Sequence, residues 1–188
     1  MKVLVVVDMQ NDFIDGALGT PEAVDILPRV VERITRRAED PQYAIFYTRD
    51  THSDNYLDTA EGQKLPISHC IVNTHGWQIN SQVWEASKDF KCVDVQNKYT
   101  FGMEDIAEML NSLTDVCDDY DAYDTWEIES VEIIGLCTDI CVISNALILK
   151  ASYPNIPITV YADSCAGVTP EKHEAALEVM RSCQINVI

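Results

Sequence analysis

The chain alternates between two patterns of apolar and polar positions. Short continuous apolar runs, rich in β-branched residues, predict strands that are buried on both faces. Six such runs lie at residues 3–7, 43–47, 90–95, 131–134, 157–162 and 185–188. Apolar residues at helical spacing follow most of them, and the predicted helices begin near Thr20, Ile106, Ile140 and Thr169. Strands that alternate with helices predict a three-layer α/β/α fold with a mostly parallel six-stranded sheet, Rossmann-like in form.

Two of the predicted helices begin with the same three-residue signature. Thr20-Pro21-Glu22 and Thr169-Pro170-Glu171 each offer a threonine N-cap, proline at the first helical position and an acid in the first turn. Arg36-Arg37 suits the negative end of the first of these helices. We find no internal repeat, low-complexity segment or linker, so we interpret residues 1–188 as one domain.

Charge and cysteine content narrow the classes of function. The 188 residues include 13 Lys and Arg against 31 Asp and Glu, a net charge of −18. Such a chain repels phosphate backbones and anionic membranes, so we expect neither nucleic-acid nor membrane binding. The run at 3–7 is too short for a signal peptide, and the seven cysteines show no disulfide-framework spacing. We therefore expect a cytoplasmic protein with reduced thiols.

An acidic segment separates the third and fourth predicted strands. Residues 115–129 carry seven acids among tyrosines and a tryptophan. A Ca²⁺ loop is one interpretation, but the spacing does not match an EF-hand and the required glycine is absent. A solvated connection is the interpretation that such like-charge runs favour.

Titratable side chains come soon after five consecutive predicted strands. In chain order, these residues are Asp8, Asp50 with His52, Lys98, Cys141 and Asp163. In open parallel sheets, ligands bind beyond the carboxyl ends of the strands. We therefore expect all five strands to present a titratable group at one edge of the sheet and these groups to form a reactive site there.

Cys141 is the candidate nucleophile of this site. Residues 131–142 form a strand, a tight turn at Gly135 and a helix start, where free N–H groups and the helix dipole favour a thiolate. Asp8 can accept the thiol proton, and the ammonium of Lys98 can lower the thiol pKa. The alternatives are that Cys141 is a buried small hydrophobe and that Asp8 and Lys98 only pair with each other.

A metal site is predicted from a carboxylate and two imidazoles. Asp50 and His52 alternate along an extended segment and so share a side, and His69 follows in a long polar loop. Such a set suits Zn²⁺ first, with Fe²⁺ or Mn²⁺ as alternatives, and leaves positions open for water or substrate. Glu61, in the same loop, is a candidate further ligand. His173 lies in a helical pattern and is expected at the surface, and His75 lies in a loop without obvious partners.

Several motifs together resemble one known family. The motifs are Val7-Asp8-Met9-Gln10-Asn11-Asp12-Phe13, Thr48-Arg49-Asp50-Thr51-His52, Pro66-Ile67-Ser68-His69-Cys70, Lys98-Tyr99 and Gly135-Leu136-Cys137-Thr138-Asp139-Ile140-Cys141-Val142. In this order they are similar to the isochorismatase-like cysteine hydrolases, and most of all to the nicotinamidase/pyrazinamidase group. The resemblance covers the whole chain.

The resemblance implies a role for each matching residue. It implies Asp8, Lys98 and Cys141 as a catalytic triad, and Asp50, His52 and His69 as metal ligands with Glu61 as a candidate fourth. It also implies a cis peptide at Leu136–Cys137 and an oxyanion hole made by the N–H groups of Cys137 and Cys141. Phe13 and Leu136 are implied as walls against which a pyridine ring packs.

The activity that the resemblance implies is hydrolysis of nicotinamide to nicotinate and ammonia through a cysteine thioester, in NAD salvage. The expected partners are a divalent metal, a small-molecule amide and further copies of the chain in a homo-oligomer. Alternatives are an amidase for carbamoyl or maleamate-type amides, a non-catalytic binding protein, and a redox module based on Cys137 and Cys141. Leu65-Pro66-Ile67-Ser68 departs from the aromatic residue that many nicotinamidases place ahead of the ligand at His69.

Overall fold

A six-stranded parallel sheet forms the centre of the part of the chain that the structure describes. The computed structural model describes residues 1–117 and 127–188. Its strands are β1 (Lys2–Val7), β2 (Tyr43–Asp50), β3 (Val93–Lys98), β4 (Ser130–Leu136), β5 (Ile158–Ala166) and β6 (Asn186–Val187). The strand order is β3-β2-β1-β4-β5-β6, and every pair is parallel. This architecture confirms the predicted fold class.

Helices cover both faces of the sheet. They are α1 (Asn11–Ile14), α2 (Pro21–Ala38), α3 (Ser81–Ala86), α4 (Ile106–Cys117), α5 (Ile143–Ser152) and α6 (Pro170–Ser182), with a 3₁₀ turn at Tyr56–Asp58 and a π-helical turn at Thr138–Val142. Successive residues of β1 point to opposite faces. Val3, Val5 and Val7 pack in the core beneath α4, α5 and α6, while Leu4 and Val6 pack beneath α1, α2 and α3.

The two predicted helix starts are present in the structure. The hydroxyl of Thr20 accepts a hydrogen bond from the Ala23 N–H at 3.1 Å, and that of Thr169 accepts one from the Lys172 N–H at 3.3 Å. Each bond satisfies an N–H group that has no partner within the helix. The first of these helices, α2, ends one residue beyond Arg37, close to the predicted end.

Element boundaries differ from the sequence predictions in several places. The third strand runs from Val93 to Lys98 rather than over 90–95, so Lys98 is its last residue. The helix predicted from residue 140 begins as the π-helical turn, and α1 and α3 were not predicted. Of the acidic segment 115–129, residues 118–126 lie outside the described part of the chain.

Among the described cysteines, Cys92 departs from expectation. Cys92 is disulfide-bonded, so the expectation of reduced thiols is wrong there. Free thiols are found at Cys70, Cys137, Cys141, Cys165 and Cys183. Within residues 1–117 and 127–188, none of the helices has both the length and the apolar character that crossing a bilayer requires.

Candidate active site

The carboxyl ends of β1 to β4 bring the predicted site residues to one edge of the sheet. Asp8 directly follows β1, while Asp50 and Lys98 end β2 and β3 and are opposite each other in the register. Cys141 lies in the π-helical turn that follows β4. Asp163 does not join them, because it lies inside β5 and its carboxylate pairs with Arg33 at 2.9 Å.

Lys98 contacts the other members of the group. Its ammonium nitrogen Nζ lies 2.8 Å from Asp8 Oδ2, 3.1 Å from Asp50 Oδ1 and 3.5 Å from Cys141 Sγ. Only 1% of the lysine side chain is exposed. Burial lowers the lysine pKa, but the nearby Asp8 carboxylate, Cys141 sulfur and Asp50 carboxylate outweigh that effect and raise the pKa well above its ordinary value. The lysine is therefore charged in this site.

Asp8 is held in place from β2. Its backbone adopts a positive φ of 49°, and its N–H donates to the carbonyl of Thr48 at 3.2 Å. The Thr48 hydroxyl donates to Asp8 Oδ1 at 2.7 Å, which leaves Oδ2 for the ion pair with Lys98. Burial raises the pKa of Asp8, and the Lys98 charge opposes that rise only in part. Asp8 is therefore a stronger base than an exposed aspartate.

The thiol of Cys141 differs from the sequence expectation of a stabilised thiolate. Burial raises its pKa well above the ordinary value, the carboxylate of Asp8 adds to the rise, and Lys98 opposes it. These effects favour the neutral thiol, whose proton must move to a base before the sulfur can attack. Burial beside two carboxylates therefore opposes the thiolate that the sequence analysis expected.

The turn that carries Cys141 has an unusual backbone. Gly135 has a φ of 122°, and a Cβ placed on it would lie 2.1 Å from the carbonyl oxygen of Val7. Only glycine therefore lets β4 lie so close to β1 at this point. The Leu136–Cys137 peptide bond is cis, as the resemblance implied. The carbonyl of Cys137 then accepts hydrogen bonds from the N–H groups of Ile140 and Val142 at 3.1 and 3.0 Å.

The three predicted metal ligands also come together. Their ligand atoms lie within 4.8 Å of one another, and Asp50 Oδ2 is 2.9 Å from His52 Nε2 and 3.7 Å from His69 Nε2. Glu61 Oε1 lies 3.7 Å from His52 Nε2, beside the group. His52 and His69 meet because residue 52 pairs with residue 71 in a parallel bridge.

The chemistry of this donor set fits a divalent cation. His52 Nε2 is buried, and its contact with Asp50 lacks hydrogen-bond geometry, so its lone pair has no partner within the described residues. His69 Nδ1 lies 2.8 Å from the carbonyl of Ile67, which sets that nitrogen as the donor and leaves Nε2 free to ligate. Two imidazole nitrogens and one carboxylate oxygen facing a common point are typical of Zn²⁺ sites with an open position.

The structure shows supporting residues to which the sequence analysis gave no role. The side-chain amide of Gln10 donates to the Asp50 carbonyl at 2.8 Å and accepts from the Asp50 N–H at 2.7 Å. Asp12 accepts from the Cys70 N–H at 2.8 Å and so fixes the chain beside His69. Gln10 and Asp12 belong to the first motif that we quoted, and that motif is the signal that could have identified them.

A small apolar cavity leads to Cys141. Its volume is about 140 Å³, and Phe13, Leu136, Ile140 and Val168 are among its walls. Phe13 meets the ring of His69 edge-on, with centroids 5.5 Å apart. An apolar cavity of about this size accommodates one benzene-sized ring. Asp50, Glu61 and His69 are among the polar lining residues, and the lining that residues 1–117 and 127–188 provide includes no lysine or arginine.

The other two histidines lie outside this group. His173, on α6, has its Nδ1 2.8 Å from the Thr138 hydroxyl, and so connects α6 to the π-helical turn. The carbonyl of His75 accepts a hydrogen bond from the Asn11 side chain at 2.9 Å. His173 therefore supports the turn that carries Cys141 without entering the cavity.

Comparison with known proteins places the chain in a family. A family model described as the isochorismatase domain matches residues 2–188. The nicotinamidase of Saccharomyces cerevisiae is 26% identical over 223 positions, which cover 100% of this chain and 99% of that protein.

Solved structures of the same kind match over nearly the whole chain. The nicotinamidase of Bacillus subtilis has a TM-score of 0.78 and 26% identity, and covers 99% of this chain and 98% of its own. The pyrazinamidase of Pyrococcus horikoshii in complex with zinc has a TM-score of 0.76 and 30% identity, and covers 100% and 98%. The chain therefore belongs to the isochorismatase family, with nicotinamidases among its relatives, and is a hydrolase that acts on amide bonds.

Proposed function

We propose that this protein is a nicotinamidase that hydrolyses nicotinamide through a thioester on Cys141. One observation carries the proposal: Lys98 Nζ lies 2.8 Å from a carboxylate and 3.5 Å from a thiol beside a ring-sized apolar cavity. An ion pair that served only the fold would not need a thiol at this point. The relatives named nicotinamidase support the same activity.

The lining of the cavity favours a neutral aromatic amide. Phe13 and Leu136 present apolar surface to a ring, while Asp50 and Glu61 contribute negative charge. A carbamoyl amino acid or a maleamate carries a carboxylate, which would need a cationic partner in so small a space. The described residues of the lining include no lysine or arginine, so the cavity wall itself offers no side-chain cation to pair with such a carboxylate, and this favours nicotinamide or pyrazinamide.

Formation of the thioester uses Asp8 twice. Asp8 takes the proton of the Cys141 thiol, and the sulfur attacks the carboxamide carbon while Lys98 stabilises the developing anion. The carbonyl oxygen becomes negative and accepts hydrogen bonds from the N–H groups of Cys137 and Cys141, a contribution of about 3 kcal/mol per donor. The C–N bond then breaks as Asp8 returns its proton to the nitrogen, and ammonia leaves.

Hydrolysis of the thioester regenerates the enzyme. Asp8, again a carboxylate, takes a proton from a water molecule, and the resulting hydroxide attacks the thioester carbon. The C–S bond breaks, nicotinic acid is released, and the Cys141 sulfur recovers a proton from Asp8. One water is consumed and one ammonia is formed in the complete cycle.

Asp50, His52 and His69, with Glu61 beside them, are the residues that would hold a divalent metal, with Zn²⁺ as the best match. Such an ion supplies an electrophilic position that orients a ring nitrogen or a water molecule near the thiol. Asp50 is held from the other side by Lys98 and Gln10, so the ligand carboxylate is already oriented by the protein.

An ammonia-release screen tests the proposal. Nicotinamide, pyrazinamide, a carbamoyl amino acid and maleamate are compared, and we expect turnover of the first two. Cys141→Ala should reduce kcat by at least about 10³-fold, since removal of a nucleophile abolishes covalent catalysis. Cys183→Ala, which changes an exposed free thiol, is the matched control and should keep full activity. Activity retained in Cys141→Ala, or turnover confined to the anionic amides, would contradict the proposal.

A further inference from the structure

Two side chains cover the carbonyl groups of the turn that carries Cys141. A π-helical turn displaces the regular i to i+4 backbone bonds, and carbonyls at its junction with an α-helix need other donors. The hydroxyl of Ser144 donates to the Ile140 carbonyl at 2.6 Å, and Nδ2 of Asn145 donates to the Cys141 carbonyl at 2.8 Å. The backbone of the nucleophile is therefore held by a side chain from α5.

Asn145 also holds a second segment of the chain. Its Oδ1 accepts a hydrogen bond from the N–H of Met103 at 2.8 Å, and the Asn145 side chain is fully buried. Met103 lies in the loop between β3 and α4. One buried amide therefore connects the nucleophile turn to the loop that follows Lys98.

That loop contacts the ammonium of Lys98 directly. Lys98 Nζ donates to the carbonyl of Thr100 at 3.2 Å, and the Thr100 hydroxyl donates to the Gly102 carbonyl at 2.6 Å. A Cβ on Gly102 would lie 3.1 Å from the Cβ of Ser144, so the loop packs tightly on α5. Asn145 thus fixes a short segment that contacts both Lys98 and α5.

We propose that Asn145 is a positioning residue that sets the distance between Lys98 Nζ and Cys141 Sγ, 3.5 Å in this structure. The inference rests on the proposed role of Cys141 as the nucleophile. Asn145 touches neither the cavity nor the reacting atoms, and acts by fixing the two segments on which the lysine contact depends.

The charged and titratable groups around Cys141 make this distance important. They are Asp8 after β1, Asp50 on β2, Lys98 on β3 and Cys137 before the turn, while α6 contributes His173, which contacts the turn at Thr138. Lys98 is the one cation among them, and the two carboxylates and Cys137 disfavour a thiolate. If the distance between Lys98 Nζ and Cys141 Sγ increases slightly, the lysine charge stabilises the thiolate less against the repulsion of the neighbouring carboxylates.

The test compares Asn145→Ala and Asn145→Leu with Ser144→Ala. The leucine variant keeps the buried volume while removing both hydrogen bonds, and the serine control removes one similar bond on the same turn. Circular dichroism and a thermal melt identify the folded variants. The readouts are kcat and KM for nicotinamide, and the pH profile of iodoacetamide alkylation at Cys141, followed by mass spectrometry of the Cys141 peptide.

We expect the Asn145 variants to lose roughly 10- to 100-fold in kcat with a nearly unchanged KM, because misplacement by a fraction of an ångström is costly. The alkylation profile should shift to higher pH in these variants and stay unchanged in Ser144→Ala. An unshifted profile overturns the inference, whether or not kcat falls, and so does failure of both Asn145 variants to fold. If the wild-type protein hydrolyses no amide, the proposed function fails, but the alkylation comparison still decides the role of Asn145.

Discussion

Replacement of Thr48 by valine isolates the hydrogen bond that orients the candidate base. The Thr48 hydroxyl donates to Asp8 Oδ1 at 2.7 Å, and both residues are fully buried. Valine has nearly the same shape but no hydroxyl, so the carboxylate oxygen would lose its donor without access to water. The perturbation therefore removes this bond and a longer one, which the hydroxyl accepts from the Asp8 N–H at 3.3 Å, and leaves the packing of β2 almost intact.

The size of the effect follows from the charge of the acceptor. A hydrogen bond to a charged group contributes about 1.5–3 kcal/mol, so we expect Thr48→Val to lower the free energy of unfolding by about 2 kcal/mol. For a chain of this size, that loss corresponds to a decrease in Tm of roughly 4–8 °C. The Thr48 bond also lowers the pKa of Asp8, so its removal raises that pKa further.

The pH dependence of activity gives the sharper test. Asp8 can act as a base only when it is ionised, so activity is lost as the pH falls through its pKa. A higher pKa moves the acidic limb of the kcat/KM profile to higher pH. Thr48→Ser keeps the hydroxyl and loses only a methyl group, so we expect its acidic limb to match that of the wild type. If valine and serine variants share one profile, the assigned role of the Thr48 hydroxyl is refuted.

Three further substitutions test other parts of the structure. Gly135→Ala should destabilise the fold by more than about 3 kcal/mol, because the new Cβ would lie 2.1 Å from the Val7 carbonyl oxygen at a positive φ. Urea unfolding measures the loss, and an unchanged midpoint of the unfolding curve would contradict this geometry. Burial lowers the pKa of His173 in the folded protein, because it disfavours the charged imidazole. The contribution of the neutral imidazole to stability is therefore complete above the pKa of the unfolded chain, near 6.5, and is lost as the pH falls below that value. When the pH is lowered from about 7.5 to about 5.5, across that pKa, the free energy of unfolding should therefore decrease less for His173→Gln than for the wild type. Equal decreases in the two proteins would refute the assignment. His52→Ala should lose bound divalent metal in elemental analysis of the purified protein, whereas His75→Ala should keep it; equal metal content in both would count against the ligand set.

The sequence was sufficient for elements whose pattern is local. The β-branched runs predicted strands that are buried on both faces, and the Thr-Pro-Glu signatures predicted the starts of α2 and α6. The helix α3 was missed because it has six residues and buries Val83 alone, which leaves no helical period to detect. The third strand was placed too early because β3 is an edge strand, and its polar residues 94, 96 and 97 interrupt the apolar run.

Much of the candidate site followed from one rule about parallel sheets. Asp8, Asp50 and Lys98 were expected at one edge because each follows or ends a strand, and the structure places them there. Thr48 could not be assigned in this way, since its contact with Asp8 depends on the register that pairs Val7 with Thr48. Asn145 depends on a partner 42 residues away, at Met103, and nothing in the local sequence indicates that contact.

The arrangement around Asp50 determines how a metal-ligand substitution must be interpreted. Asp50 Oδ1 lies 3.1 Å from Lys98 Nζ, while its Oδ2 faces His52 and His69 at 2.9 and 3.7 Å. One carboxylate therefore serves both the ammonium of the candidate triad and the candidate metal site. A change at Asp50 would remove a metal ligand and a partner of Lys98 at once, so a loss of activity in Asp50→Asn would not distinguish the two roles.

His52 does not share this double role. Its Nε2 faces Asp50 Oδ2 and Glu61, and none of its contacts within the described residues reaches the Lys98 ammonium. In His52→Ala, the alkylation rate of Cys141 reports the lysine–thiol contact while elemental analysis reports the metal. Metal loss with unchanged alkylation and a raised KM would assign the metal to substrate positioning. Equal slowing of alkylation in His52→Ala and Asp50→Asn would instead mean that the two halves of the site act as one electrostatic unit.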